Sequence, residues 1–178
     1  MRGGWVLFLG LMSHGAGADS YVGPDATPAE VAALAGCTAV TEVADWAECR
    51  GIVYDLCAPT EDPVRVAQCL AREDGAWDVF ITFDLMPRLA ALAEARDARE
   101  VLDVNGLTGL AEQVAAWGQS EWPAARCRIA AFAADASDLS DTFGVDRVAQ
   151  FECYVDARVA RAMQAAQWIA TFEEEAAR

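Results

Sequence analysis

The stretch that decides the fold is DPVRVAQCLAREDGAWDVF, residues 62–80. Asp62 followed by Pro63 is a helix start, because aspartate caps the free amides of a first turn and proline suits the first helical position. Large apolar side chains then recur at steps of four, seven and three residues: Val66, Leu70, Trp77 and Phe80. This spacing predicts a long helix with one apolar face.

Helix signals also precede this stretch. Thr27-Pro28-Ala29-Glu30 is a capping box with proline at the first helical position, and it predicts a short helix that ends at about Cys37. A second short piece is predicted from about Ala44 to Cys57. Residues 19–26, before the capping box, are expected to form a flexible tail.

Further helices are predicted after residues 62–80. Pro87 is expected to kink or end the long helix, and Asn105-Gly106 marks a break. A third long helix, with a second kink at Pro123, is predicted from a further set of apolar residues: Leu110, Val114, Trp117, Ile129 and Phe132. The last helix is predicted from near Val145 to Glu173-Glu174-Glu175.

The expected fold class is therefore all-α. No segment of four or more residues alternates cleanly between apolar and polar, so no strand is required. We expect a small disulfide-stapled helical bundle of about three long helices plus one or two short N-terminal helices. No repeat or long linker divides residues 27–178, which are predicted to form a single helical domain.

Five tryptophans fall on or beside predicted apolar faces: Trp46, Trp77, Trp117, Trp122 and Trp168. We expect most of them in the core, where large rings dominate burial. A stacking platform for sugar or nucleic acid is the alternative, and its nucleic-acid form is the weaker because few basic residues are near.

The first 18 residues have the three parts of a secretory signal. Arg2 supplies the positive charge, an eight-residue apolar run extends from Trp5 to Met12, and Ala16-Gly17-Ala18 is a small-residue cleavage site. The run is less than half of the roughly 20 residues that a transmembrane helix needs. We expect cleavage after Ala18 and an exported, periplasmic or secreted protein with no stable membrane span.

Charge and composition exclude several function classes. The chain has 28 acidic residues and 13 basic ones, all of them Arg, so its formal charge is -15. Loss of Arg2 and His14 with the signal would leave a charge of -16, with neither Lys nor His. Such a chain is repelled by nucleic acid and anionic lipid, and histidine-dependent or lysine-dependent catalysis is impossible within it.

The six cysteines are expected to form disulfides, because the chain carries an export signal and has no Cys-x-x-Cys motif. Six cysteines allow 15 pairings. Antiparallel helices place residues that are equidistant from their turn side by side, and the midpoints of sequential pairs fall at Val43, Pro63 and Ser140. We therefore expect three bridges that each staple a helical hairpin: Cys37–Cys49, Cys57–Cys69 and Cys127–Cys153.

Carboxylate pairs are plentiful, and they are the candidate catalytic groups. Two carboxyl groups about 5–10 Å apart can hydrolyse a glycosidic bond. The candidates are Glu73 with Asp74, Asp138 with Asp141, and the run Glu173 to Glu175. So acidic a chain forms such pairs by chance, and a solvated acidic surface is the preferred interpretation.

No metal site or cofactor is expected. Asp135, Asp138 and Asp141 recur at three-residue steps in a polar stretch, but they lack the spacing and the closing Glu of a calcium loop.

A set of motifs accompanies the cysteines. Cys49-Arg50-Gly51 is followed by Cys57, and Cys69 is followed by Glu73 and Trp77-Asp78. Ala125-Arg126-Cys127, Cys153 and Ala160-Arg161 follow. From about Cys37 to Trp168 this pattern resembles the secreted LprI-like lysozyme inhibitor family, whose N-terminal domain is a small disulfide-bonded helical module.

The resemblance implies five motif positions: Glu73, Trp77, Asp78, Trp122 and Arg161. Arg161 is expected to form a structural ion pair or a helix-packing contact rather than to contact a partner. The chain departs from the family pattern at three positions. Gln119 stands where the family carries Trp, and Pro123 and Ala124 replace an Arg-Asp pair.

The resemblance implies a non-catalytic binding module that inhibits lysozyme, so the expected partner is a basic lysozyme or another cationic protein. Strong negative charge would accelerate that association. Two alternatives remain open at this point. One is a structural or envelope-maintenance protein without a lysozyme partner, and the other is a carboxylate-only glycosidase.

Overall fold

The computed structural model describes residues 26–98, 109–120, 127 and 142–178, without the side chains of 142–146. Several sequence predictions lie outside those residues: the signal 1–18, tail residues 19–25, the Asn105-Gly106 break, Trp122, Pro123, Ala124, Ile129, Phe132 and the aspartates 135, 138 and 141. The predicted length of the third long helix was wrong, because the helix that begins at Leu110 ends at Gln119 and Ser120 has an extended backbone. Ala26, the last residue of the predicted tail, packs against the core.

The described residues form helices and no strand, which confirms the all-α, disulfide-stapled fold. In chain order the elements are α1 (Pro28–Val40), a 3₁₀ helix (Val43–Cys49), α2 (Ile52–Leu56), α3 (Pro63–Phe80), a π turn (Ile81–Leu85), α4 (Met86–Asp97), α5 (Leu110–Gln119) and α6 (Thr142–Ala176). None of the described helices combines the length and the apolar character that a membrane crossing requires.

Helix α3 packs along α6 and also contacts α1 and α2. The Asp62 carboxylate accepts the Val64 amide at 3.1 Å, so the predicted cap is confirmed. The main core combines buried side chains of α3 with those of the neighbouring elements: Leu34, Trp46, Trp77, Phe80, Leu85, Leu89, Val155, Val159 and Ile169.

Helix α1 begins with the predicted capping box and continues to Val40, three residues past the predicted end. The Glu30 carboxylate accepts the Thr27 amide at 2.7 Å and pairs with Arg72 of α3 at 2.8 Å. Burial opposes ionisation of Glu30, but the Thr27 and Arg72 contacts outweigh it and lower the pKa of the carboxyl. One carboxylate therefore caps α1 and joins it to α3.

The predicted single piece from Ala44 to Cys57 is two helices, and that expectation was wrong. Gly51 separates them at a φ of 95°, a left-handed conformation that favours glycine. The chain turns there and starts α2 in a new direction.

Pro87 does not end the helix. Proline lacks the N–H of a regular turn, and its ring would contact the carbonyl four residues earlier. The chain adopts a π turn just before it, in which the Met86 amide donates to the Ile81 carbonyl, and then continues as α4. The widened turn keeps the core residues Phe80, Leu85 and Leu89 buried.

The three disulfides join Cys37 to Cys49, Cys57 to Cys69, and Cys127 to Cys153, which is the sequential pairing expected from the hairpin geometry. The first bridge fixes the 3₁₀ helix to α1, the second fixes the end of α2 to α3, and the third fixes residue 127 to α6.

Candidate functional site

Glu73, the first motif residue, lies on α3 with 1% of its surface exposed. Its two carboxylate oxygens accept the Gly51 amide at 2.6 Å and the Tyr54 amide at 3.0 Å. Both amides belong to the start of α2, where a helix has no internal acceptor for them. Glu73 therefore joins α2 to α3.

Burial raises the pKa of Glu73, because the charged form is poorly solvated in the core. The Gly51 and Tyr54 amides, the Trp77 indole and Arg50 act in the opposite direction without cancelling it. Trp77, the second motif residue, is itself fully buried and meets Phe80 edge to face at 6.1 Å between ring centres. Both motif residues are thus parts of the core.

Arg158 of α6 connects two carboxylates of α3. It pairs with Asp74 at 3.1 Å and with Asp78, the third motif residue, at 2.7 Å. Burial raises the pKa of Asp74, Arg158 lowers it, and the nearby Asp78 charge raises it further. This ion-pair bridge fixes α6 against α3.

Arg161 of α6 holds the end of α5. Its guanidinium donates to the carbonyls of Trp117 at 2.6 Å, Gly118 at 2.8 Å and Ser120 at 3.0 Å, and its carbon Cζ lies 4.6 Å from the centre of a Trp117 ring. A cation at a helix C-terminus satisfies orphan carbonyls and suits the helix dipole. Burial lowers the pKa of Arg161, as does Arg158, whereas Asp78 raises it. The expected helix-packing role of Arg161 is confirmed.

We expect Arg161→Gln to lower the free energy of unfolding by about 2 kcal/mol, because three hydrogen bonds to a charged group and a cation–π contact are lost. Hydrogen exchange should accelerate first in the amides of α5. Arg178→Gln is the matched control, since Arg178 is exposed and meets Glu174 at 3.8 Å, and its effect should stay within about 0.5 kcal/mol. Equal effects of the two substitutions would contradict the capping role.

The described candidates for carboxylate catalysis are in structural contacts. Glu73 accepts two amides and Asp74 pairs with Arg158. In the run 173–175, Glu173 pairs with Arg88, Glu174 with Arg178, and Glu175 with Arg96. No three Asp, Glu, Cys or His side chains in the described part of the chain are grouped as a metal site would require.

The 3₁₀ helix has one acidic edge. Glu42, Asp45 and Glu48 are exposed and three residues apart, so they align on one side of a helix with three residues per turn. Among the described residues no ion pair involves these three carboxylates, and the neighbouring Arg50 pairs with Asp156 of α6 at 2.6 Å. We call these three residues the acidic ridge.

The opposite side of the same 3₁₀ helix faces the protein. Trp46 and Cys49 are buried there, and the Trp46 indole donates to the Thr41 carbonyl at 3.1 Å. The period of three in Val43-Ala44-Asp45-Trp46-Ala47-Glu48-Cys49 is the signal in the sequence that sets the two sides apart. A helical period of 3.6 does not bring Glu42, Asp45 and Glu48 into line.

An apolar groove opens beside Trp46. Its walls are α1, through Ala35, Thr38 and Ala39, and the π turn, through Phe83. Its volume is about 400 Å³. Phe83 is 76% exposed, and the neighbouring Val40 at the end of α1 is 86% exposed. Phe83 thus presents a large apolar side chain to solvent at a concave surface.

The structure separates the motif positions from this exposed surface. Glu73, Trp77, Asp78 and Arg161 support the packing of α2, α5 and α6 around α3, while Trp122 lies outside the described residues. Sequence reasoning missed both the acidic ridge and the apolar groove. No local pattern predicts the groove, because it forms where residues of α1 meet residues more than 40 positions later.

Comparison of the chain with protein-family models, with curated proteins and with solved structures finds no match.

Proposed function

We propose that this chain is an exported, non-catalytic binding module that inhibits a basic lysozyme by binding to it. The observation that carries the proposal is the acidic ridge, three exposed carboxylates without a cationic partner among the described residues, on a helix that also lines an apolar groove. A charged edge beside exposed apolar surface has the composition of a protein-binding site. The choice of lysozyme rests on the resemblance to the LprI-like family.

The disulfides support the export part of the proposal. Three bridges indicate an oxidising compartment outside the cytoplasm, where such bonds form and persist. The Cys37–Cys49 bridge also holds α1 and the 3₁₀ helix in fixed relation, so the binding surface is formed before the partner arrives. A preformed surface loses less conformational entropy on binding.

The charge of the chain supports a cationic partner. At a formal charge of -15, the protein attracts a basic protein and repels an acidic one before contact. The described carboxylates buried on α3 are engaged with amides or Arg158, so the exposed ones are those that can meet a partner.

We expect the oxidised protein to bind at least one member of a panel of basic animal-type lysozymes. The association rate should fall by about tenfold or more between low ionic strength and about 0.15 M salt, because screening weakens the attraction. Surface plasmon resonance against each lysozyme measures both rates. No binding at low ionic strength would reject the proposal and favour a structural or envelope-maintenance role.

Neutralising the acidic ridge should reduce that association rate more than neutralising other carboxylates does. The ridge variant is Glu42→Gln with Asp45→Asn and Glu48→Gln. The control removes the same number of charges at exposed sites elsewhere, through Glu61→Gln, Glu94→Gln and Glu112→Gln. Equal losses in both variants would leave only net charge as the cause and would refute the ridge as the binding edge.

A further inference from the structure

The apolar groove is large enough to receive one large side chain. Its volume of about 400 Å³ lies in the lower part of the range of roughly 300–1,000 Å³ found for ligand pockets. Ala35 and Ala39, four residues apart on α1, keep one wall low, and Phe83 extends the other. Trp46 and Phe80 lie at the inner end and meet edge to face at 5.7 Å. An aromatic or large aliphatic group would find rings and methyl groups on several sides.

The described lining of the groove contains one carboxylate and one cation, in a chain whose formal charge is -15. Asp84 lines it and is exposed, and Trp46 belongs to the helix that carries the acidic ridge. Among the described residues that line the groove, the cation is Arg88, and it pairs with Glu173 of α6 at 3.3 Å. A group that enters from solvent therefore meets an apolar pocket with the Asp84 carboxylate in its lining, on a chain whose negative charge attracts cations.

We infer that the groove is the anchor pocket of the binding surface and receives one aromatic or large aliphatic side chain from a basic segment of the partner. An Arg or Lys beside that side chain contacts Asp84, and basic residues farther along the segment reach the acidic ridge on the other side of the 3₁₀ helix. Buried anchors of this kind supply much of the energy of protein interfaces, with charged contacts around them. The identity of the partner rests on the proposed function, whereas the chemistry of the groove is tested without it.

The test uses two synthetic peptides of equal charge, Arg-Arg-Phe-Leu-Arg-Arg and Arg-Arg-Ala-Ala-Arg-Arg, both amidated. The protein is labelled with ¹⁵N in its tryptophan indoles, and Trp46→Phe identifies the Trp46 signal. We expect the Phe-Leu peptide to shift that signal in a saturable way, because the indole lines the groove and donates to Thr41. The Ala-Ala peptide should shift it far less.

Two substitutions on α1 locate the binding. Ala39 lines the groove and Ala32 does not, although both are exposed alanines of the same helix. Ala39→Trp should fill the groove and weaken binding of the Phe-Leu peptide by about tenfold or more. Ala32→Trp should leave it unchanged. Phe83→Ala removes an exposed wall of the groove without touching the core, and it should also weaken binding of the Phe-Leu peptide. It therefore tests the pocket even where Ala39→Trp impairs folding.

Each outcome decides the matter. Equal shifts with both peptides, no shift with the Phe-Leu peptide, or full binding by Phe83→Ala and Ala39→Trp would overturn the inference. If the lysozyme panel fails while the groove binds the Phe-Leu peptide, the pocket stands and the proposed partner is wrong. If a lysozyme binds equally well to Ala39→Trp and to the unchanged protein, the proposed function stands and the anchor pocket is rejected.

Discussion

Replacing Glu73 by alanine is expected to lower the free energy of unfolding by about 3 kcal/mol. The substitution leaves the Gly51 and Tyr54 amides without an acceptor at the start of α2, and each unsatisfied buried donor costs roughly 1–3 kcal/mol. Denaturant unfolding under oxidising conditions measures the loss. Because Glu73 joins α2 to α3, amides of α2 should also exchange faster.

Two controls separate this role from a general effect of charge. Glu73→Gln keeps the shape and one acceptor, so it should cost about half as much as Glu73→Ala. Glu48→Gln removes a charge from the exposed acidic ridge and should change the free energy of unfolding by less than about 0.5 kcal/mol. A loss for Glu48→Gln equal to that for Glu73→Ala would contradict the assigned contacts.

The Glu73 interaction also has a pH dependence of defined sign. Burial raises the pKa of Glu73 above its ordinary value of 4.5, so the folded protein holds this proton more tightly than the unfolded chain does. The stabilisation from that proton is present below pH 4.5 and is lost as the pH rises through the folded pKa. The stability advantage of the unchanged protein over Glu73→Gln should therefore shrink as the pH rises from 4.5. An advantage that grows as the pH rises from 4.5 would refute a raised pKa of Glu73 in the folded protein.

Removing the Cys37–Cys49 bridge with two alanines is expected to reduce both stability and binding. The bridge closes a loop between residues 12 positions apart, and a loop of that size corresponds to about 3 kcal/mol in the chain-entropy description. Without it, the 3₁₀ helix that carries Trp46 is no longer fixed to α1. The groove would then have to form during binding, at an entropic cost, and we expect the Phe-Leu peptide to bind about tenfold more weakly.

The Cys57–Cys69 bridge supplies a matched control, because its sequence separation is also 12 and it joins α2 to the first half of α3. Its double alanine variant should lose about the same stability while it keeps the affinity for the peptide. Equal losses of affinity in the two variants, measured well below their unfolding temperatures, would show that the Cys37–Cys49 bridge has no particular role in the groove.

The sequence predicts the parts of this fold that depend on neighbours along the chain. The capping box at Thr27, the start at Asp62-Pro63 and the buried face with Leu70, Trp77 and Phe80 are local signals, and the structure confirms them. The disulfide pairs could be expected because a helical hairpin relates residues on either side of a turn. Each of these inferences needs only short-range geometry.

The remaining features depend on contacts that no local pattern contains. Gly51 has a left-handed backbone conformation, and its amide donates to the carboxylate of Glu73, 22 residues later. The guanidinium of Arg161 donates to carbonyls that lie 41 to 44 residues earlier. Pro87 could be recognised as a helix breaker, but the π turn that accommodates it follows from the need to keep both sides of the proline in one core. The motif residues were expected from a resemblance, and their structural roles became apparent only from these partners.

The surface was harder still to predict. The composition indicates an acidic protein, but it does not show which carboxylates remain exposed after the arginines have found partners. Arg50, Arg72, Arg88 and Arg158 each pair with a carboxylate, and these pairs leave the acidic ridge without a cation among the described residues. That distribution decides where a cationic partner would bind.

Titration of lysozyme activity tests the proposed inhibition, in which this surface binds and blocks a basic lysozyme. Cell-wall hydrolysis by the best-binding member of the panel is measured while oxidised protein is added. We expect activity to fall to a low plateau near one equivalent, and the triple ridge variant and Ala39→Trp to require much higher concentrations. Undiminished hydrolysis by every lysozyme at saturating protein and low ionic strength would contradict the proposed inhibition.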